Sequence, residues 1–208
     1  MASATAFRVL FVLSFIAMTA IRLYYQSKII PERRRTLVTG SNWRLIPGAI
    51  AALVTWVFGF AYIFLPGAFS WSYAQYPAWL RWLGAFFLGV GIFLLGWAHH
   101  HLGKSFHSLV VRKTDQALVD SGPYRTVRHP LYTAFMLSYV GGGLMASSLV
   151  LTFVTGPLFA LMIALRIGEE ETAMLEQFGP RYAEYMKRTG RFIPLLRRVP
   201  RAGAPPEG

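Results

Sequence analysis

Residues 131–165 read LYTAFMLSYVGGGLMASSLVLTFVTGPLFALMIAL. This run carries no charge and is about 35 residues long, whereas about 20 apolar residues cross the hydrocarbon core of a bilayer. As one α-helix, rising about 1.5 Å per residue, it would overshoot the membrane. Two features offer a break: the glycines at 141–143 and the serines at 147–148. The run is therefore read as two short helices forming a hairpin, which returns the chain to the side from which it came.

Three further apolar stretches lie upstream, at 7–25, 45–66 and 79–98. Composition agrees with a membrane protein. The 208 residues are 54% hydrophobic and only 14% charged, against about 25% charged in an ordinary soluble domain. Mean hydropathy is +0.41. The expected fold is an all-α integral membrane protein with about five transmembrane helices, the last two a short hairpin, followed by cytoplasmic amphipathic helices. No repeat or long linker divides the chain, so residues 1–198 are read as one domain and 199–208 (PRAGAPPEG after Val199, rich in Pro and Gly) as a disordered tail. The first stretch lacks a small-residue cleavage site and is followed by Arg22, Tyr24 and Tyr25, which argues against a signal peptide.

Net charge is +12. In a soluble protein that balance suggests nucleic acid, but here it has a topological reading, and no nucleic-acid partner is expected. Residues 26–44, 101–130 and the segment after 165 hold most of the basic residues, among them Arg33, Arg34, Lys104, Arg125, Arg128, Arg181 and Lys187. The alternate loops, 67–78 and 141–148, carry none. Five spans place all three basic segments on one side, the cytoplasmic one by the positive-inside rule. Trp71, Tyr73, Tyr76 and Trp79 then form an aromatic belt on the other side.

Polar residues gather where the hairpin's ends meet the basic side. Before it stands GPYRTVRHPLYTA, residues 122–134, in which Gly122-Pro123 turns the chain and Pro130 suits a first helical turn. After it stand Arg166, Glu169, Glu170 and Glu171. Alone, Arg166 reads equally as a snorkelling anchor, and the glutamates as the solvated first turn of a new helix. That helix would carry Met174, Phe178, Tyr182 and Tyr185 on one face and lie on the membrane surface. Arg125 and Arg128 face phosphate head groups or simply enforce topology. The hairpin nevertheless brings Tyr124, His129 and Tyr132 to the level of Arg166 and Glu170, and ionisable groups at that depth usually face an interior or a cavity.

No cysteine is present, which excludes disulfides and thiolate metal sites. His99, His100 and His101 point in different directions around a helix. They read as a cap to the third span rather than metal ligands, and no metal is expected. His107 reads as a loop residue.

ALVDSGPYRTVRHPLY at 117–132 and RIGEEETAMLEQFGPRYAEYMKRTGRFIP at 166–194 together resemble the isoprenylcysteine carboxyl methyltransferase family and, more broadly, integral-membrane phospholipid methyltransferases. The resemblance runs over 104–194. It implies S-adenosylmethionine as cofactor, held in a cytoplasm-facing pocket. It places Gln116, Ala117, Leu118 and Val119 along the cofactor, and Tyr124, His129, Pro130, Leu131 and Tyr132 in the pocket wall. Glu170 would hold a polar part of the cofactor and Arg166 would contact the acceptor, so Glu170 and Arg166 are the candidate catalytic pair. The acceptor would be hydrophobic or lipid-like and enter from the bilayer, with membrane lipids as surroundings and no obligate protein partner. Farnesylated or geranylgeranylated cysteine, phosphatidylethanolamine, an isoprenoid or another hydrophobic acid all suit, so O- and N-methylation both stay open. Sterol-reductase C-terminal halves share a related HPxY-type corner, which keeps an NADPH-dependent reductase as an alternative. A non-catalytic or transport protein is less favoured, because the spans show no internal duplication.

Overall fold

The computed structural model describes residues 4–33, 42–65, 67–102 and 118–195. Gln116, Ala117, His107 and the tail 199–208 lie outside the described residues. Six α-helices follow one another: α1 Ala4–Arg33, α2 Ile46–Phe64, α3 Ala78–Leu102, α4 Pro130–Ala146, α5 Gly156–Phe178 and α6 Pro180–Arg188. Prolines stand in the first turns of α2, α4, α5 and α6, where a missing N–H costs nothing.

Four helical segments are long and apolar enough to cross a membrane: Ala4–Tyr25, Trp43–Phe64, Ala78–Leu102 and Leu151–Phe178. The surface confirms the environment. Leu13, Phe60, Phe86 and Phe93 are each more than half exposed, and side chains like these form apolar belts far too large for a water-soluble monomer. The chain is an integral membrane protein.

The fifth helix expected, the first of the hairpin, is α4, which has 17 residues, about 25 Å at 1.5 Å per residue and the low end of what crosses a bilayer. Its C-terminus nonetheless reaches the end of the bundle away from the basic segments, where Ser148 bridges to Tyr73. α4 and α5 therefore still form a hairpin. The break lies at Ser147, which takes a left-handed conformation (φ 56°), and the chain continues through a wide π-type turn, Leu151–Thr155, into α5.

The glycines at 141–143 do not break the helix. They let it pack. A Cβ on Gly141 would sit 2.5 Å from the Leu88 backbone nitrogen, and one on Gly84 would sit 2.6 Å from that of Met145. These contacts set α3 and α4 antiparallel and unusually close, the small-residue packing typical of helices in lipid. Gly141→Ala should therefore lower stability by about 1–3 kcal/mol, despite the gain of about 1 kcal/mol that alanine brings to a helix interior. Gly89, with nothing within 4 Å, is the control: Gly89→Ala should be neutral or stabilising. Unfolding of the two variants in detergent decides the point, and equal effects would refute the close approach.

Two apolar clusters fill the bundle. Phe7, Phe11, Tyr62, Leu88 and Met145 pack at the end away from the basic segments. Tyr139, Phe159, Met162, Ile163 and Ile167 pack toward the basic end. The surface-lying helix expected after the last span is corrected as well. α5 runs unbroken through Glu169–Glu171 to Phe178, bends at Gly179 (φ 52°) and continues as α6. Tyr182 and Tyr185 on α6 are buried against Leu118, Met174 and Phe178, so its apolar face meets protein rather than lipid.

Candidate functional site

The loop-to-helix corner is built first by the backbone. Gly122 adopts φ 58°, and a Cβ there would strike the His101 ring at 2.4 Å, so the turn requires glycine. After the turn, Val127 forms an isolated parallel bridge with Gly190, and the backbone on either side is hydrogen-bonded to residues 190–191. The Arg128 N–H donates to the Gly190 carbonyl at 2.8 Å, His129 N–H to Arg191 at 3.0 Å, and Gly190 N–H to Thr126 at 3.0 Å. Thr133 Oγ1 donates to the Phe192 carbonyl at 2.7 Å. The Tyr185 hydroxyl donates to the Tyr124 carbonyl at 2.6 Å. The segment after α6 thus clasps the corner from which α4 starts.

Two adjacent glutamates of α5 then meet different partners, because successive helical residues point about 100° apart. Glu170, one turn beyond Arg166, faces α4. It accepts a hydrogen bond from the Tyr132 hydroxyl at 2.7 Å and pairs with Arg166 at 3.1 Å. Glu171 faces the corner and the clasp. It accepts from Arg128 Nε at 3.0 Å and from both the Nε (3.1 Å) and an Nη of Arg191. Both carboxylates are buried, at 6% and 5% exposure, a position an acid holds only when paired.

His129 lies between the two pairs, its ring stacked on Tyr132 at 5.8 Å. Its Nε2 stands 3.4 Å from Glu171 Oε1 but makes no hydrogen bond, leaving a buried polar atom without a partner among the described residues. Burial pushes the imidazole pKa down to about 4, a larger effect than the opposing pull of Glu171, and Arg128 and Arg191 add to the lowering. At neutral pH the ring is therefore uncharged.

Of the residues singled out in the sequence, the structure brings together His129, Tyr132, Arg166 and Glu170. Pro130 is buried at the start of α4 and Leu131 is half-buried beside it. Tyr124 is buried at the turn, and Leu118 packs with Tyr182 and Tyr185, apart from the Glu170 pair; Val119 is half-buried next to it. Arg128 overturns its reading as a head-group or topology residue. Its side chain is 10% exposed, and besides Glu171 it donates to the carbonyls of Met186 (3.0 Å) and Thr189. Glu171 was read in the sequence only as part of a solvated first turn and Arg191 only as a basic tail residue, and Thr189 went unnoticed; the one signal was the run of three glutamates at 169–171. Glu169 is exposed and pairs with Arg44. His99 binds the Leu95 carbonyl through Nδ1 at 2.8 Å within the last turns of α3. Among the described residues no three His, Cys, Asp or Glu side chains converge as a metal site.

The model of the isoprenylcysteine carboxyl methyltransferase (ICMT) family matches residues 68–176, more than half of the chain. The chain belongs to this family. Among relatives, the ICMT-family chain is 36% identical over 116 residues to the cobalt-zinc-cadmium resistance protein CzcN of Cupriavidus metallidurans, covering 55% of this chain and 52% of that protein. It is 32% identical over 112 residues to the protein-S-isoprenylcysteine O-methyltransferase of Schizosaccharomyces pombe, covering 53% and 48%. The chain thus spans about half the length of these curated relatives. A solved structure of the eukaryotic intramembrane Ras methyltransferase ICMT superposes with a TM-score of 0.58 over 89% of this chain and 68% of that one, at 23% identity. That likeness establishes an ICMT-like fold.

Proposed function

We propose that this ICMT-family protein is a membrane methyltransferase that uses S-adenosylmethionine and methylates a lipid-like acceptor. The observation that carries the reading is the Glu170 carboxylate, buried on α5 and hydrogen-bonded to Tyr132, on whose ring stacks a neutral His129 with no hydrogen bond at Nε2 among the described residues. The residues fit the cofactor. Its amino group suits the Glu170 carboxylate, its carboxylate and hydroxyls suit donors at this level, and the unpartnered Nε2 supplies one more polar contact. When bound, S-adenosylmethionine supplies a methyl group activated by an adjacent sulfonium.

The chain's own residues bind and position. Arg166 holds Glu170 from one side and Tyr132 from the other, which fixes the carboxylate without a rotamer search at the moment of binding. Arg166 remains 27% exposed, so its free N–H groups can orient an acceptor carboxylate by paired hydrogen bonds. The surrounding apolar helices exclude water, which strengthens each of these contacts. Methyl transfer needs no enzyme nucleophile, and the names of relatives such as the yeast protein-S-isoprenylcysteine O-methyltransferase support a prenylcysteine-type carboxylate. An amine acceptor is the second reading. It rests on Glu170 as the group placed to take the amine's proton, because the His129 imidazole, held neutral down to about pH 4, is too weak a base. The positive-inside rule puts this end of the bundle in the cytoplasm.

Calorimetry on the detergent-purified protein tests the reading. Wild type should bind S-adenosylmethionine, and Glu170→Ala should weaken binding at least tenfold, about 1.4 kcal/mol, with Tyr132→Phe losing a few-fold. Folded wild type that binds no S-adenosylmethionine would refute the proposal.

A further inference from the structure

A second polar cluster lies at the opposite end of the bundle, and the methylation chemistry does not use it. Arg8, in the first turns of α1, places its guanidinium 5.8 Å from the centre of the Tyr62 ring. Arg81, in the first turn of α3, approaches the same tyrosine, with an Nη 3.3 Å from its hydroxyl. Tyr73 lies against Tyr62, ring centres 5.9 Å apart. Two cations thus flank one phenol.

Their partners do not balance them. Arg81 is partly accounted for: its Nε donates to the Met145 carbonyl at 3.0 Å, and its guanidinium lies 3.9 Å from the centre of the Phe7 ring. Arg8 is not. Its Nε is buried with no hydrogen-bond partner among the described residues, and so is the Tyr73 hydroxyl. The sequence holds no Asp or Glu before residue 32 or between 33 and 114, and none from 121 to 168. Every segment that builds this end of the bundle is therefore free of acid. Arg8 is half-buried, and although a snorkelling arginine carries its head to water, the enclosed Nε leaves part of this guanidinium desolvated. Unneutralised charge in a partly desolvated place is costly, and a ligand anion removes that cost.

The level of the cluster says which anion. Trp71 and Trp79, each two residues from a member of the cluster in the chain, are 70% and 66% exposed, and exposed tryptophans mark the boundary between hydrocarbon and head groups. Phosphates of the bilayer lie at that height. We propose that Arg8 and Arg81, with the hydroxyl of Tyr73, bind the phosphate of a phospholipid head group at the end of the bundle opposite Glu170. Arginine's fork of donors suits a phosphate better than a point charge would. The inference stands independently of the methyltransferase reading, because it needs only the membrane setting.

Native mass spectrometry of the detergent-purified full chain tests it, with phosphatidylglycerol as probe and diacylglycerol of the same acyl chains as the phosphate-free control. Wild type should retain one phosphatidylglycerol and no diacylglycerol. Arg8→Gln should reduce retention roughly tenfold, about 1.4 kcal/mol, Arg8→Lys should lose less, and Tyr73→Phe should lose a few-fold. Tyr73→Phe, which keeps the ring, carries the test if Arg8→Gln fails to fold. Equal retention by wild type and the variants, or retention of diacylglycerol as strong as of phosphatidylglycerol, overturns the proposal. Millimolar inorganic phosphate separates the sources. A thermal shift in wild type that Arg8→Gln abolishes, without lipid retention, would keep a phosphate site but overturn the lipid as its occupant.

Discussion

Arg128→Gln should cost the folded protein about 3 kcal/mol, the low end of what removing one partner from a buried ion pair costs. Three acceptors depend on this guanidinium: Glu171, buried at 5% exposure, and the carbonyls of Met186 and Thr189. Glutamine cannot reach all three, and a buried acceptor left unpaired carries its desolvation penalty. The low end applies because Arg191 still pairs with Glu171. Arg191→Gln makes the contrast. Its side chain is 46% exposed, so solvent screens the pair and the loss should be about 1 kcal/mol or less. Equilibrium unfolding in detergent measures both. Equal losses would mean that the clasp is not organised around Arg128. Because residues 190–192 hang on this cluster, Arg128→Gln should also loosen the corner that presents His129.

Acidification should destabilise wild type more than His129→Gln. His129 has a folded-state pKa near 4, against 6.5 for an ordinary histidine. The unfolded chain therefore binds a proton that the folded chain refuses, and stability falls as pH drops from about 6.5 toward 4. Above 6.5 both states are neutral and the effect vanishes. The gap of about 2.5 pH units, at about 1.4 kcal/mol each, gives a loss of about 3 kcal/mol by pH 4. Carboxylates titrate in the same range, so the informative quantity is the difference between wild type and His129→Gln, measured as unfolding free energy from pH 7 to pH 4. Parallel curves would show that the ring is not held neutral. The same experiment bears on the site, since it reads the charge state of the imidazole that stacks on Tyr132.

Much of this architecture was legible in the sequence. Apolar runs and their lengths identified the membrane class and three of the four long spans, and an uncharged run of about 35 residues required a hairpin. From the hairpin alone it followed that the start of α4 would meet Arg166 and Glu170, and in the structure Tyr132 meets Glu170, while His129 stacks on Tyr132 and stands next to Glu171. The exact place of the turn was not legible. Three consecutive glycines and two serines are both plausible breaks, and Ser147 took the role only because Gly141 and Gly143 were needed for close approach to Leu88 and Thr152. The face of α6 was misread for a similar reason: an amphipathic pattern shows that one side is apolar, without saying whether lipid or protein covers it.

What the sequence by itself determined is the set of quantities that add along the chain: hydropathy, helix length, the clustering of charge and so the two ends of the bundle. What only the tertiary structure decided is pairing. Glu170 and Glu171 are chemically identical neighbours, yet one belongs to Tyr132 and Arg166 and the other to Arg128 and Arg191. Arg125 and Arg128 stand three residues apart, yet one is exposed and the other is buried at the centre of the clasp. Those assignments depend on helical phase and on which segment returns to lie alongside, and both are settled only when the bundle closes and a buried charge must find its partner or leave.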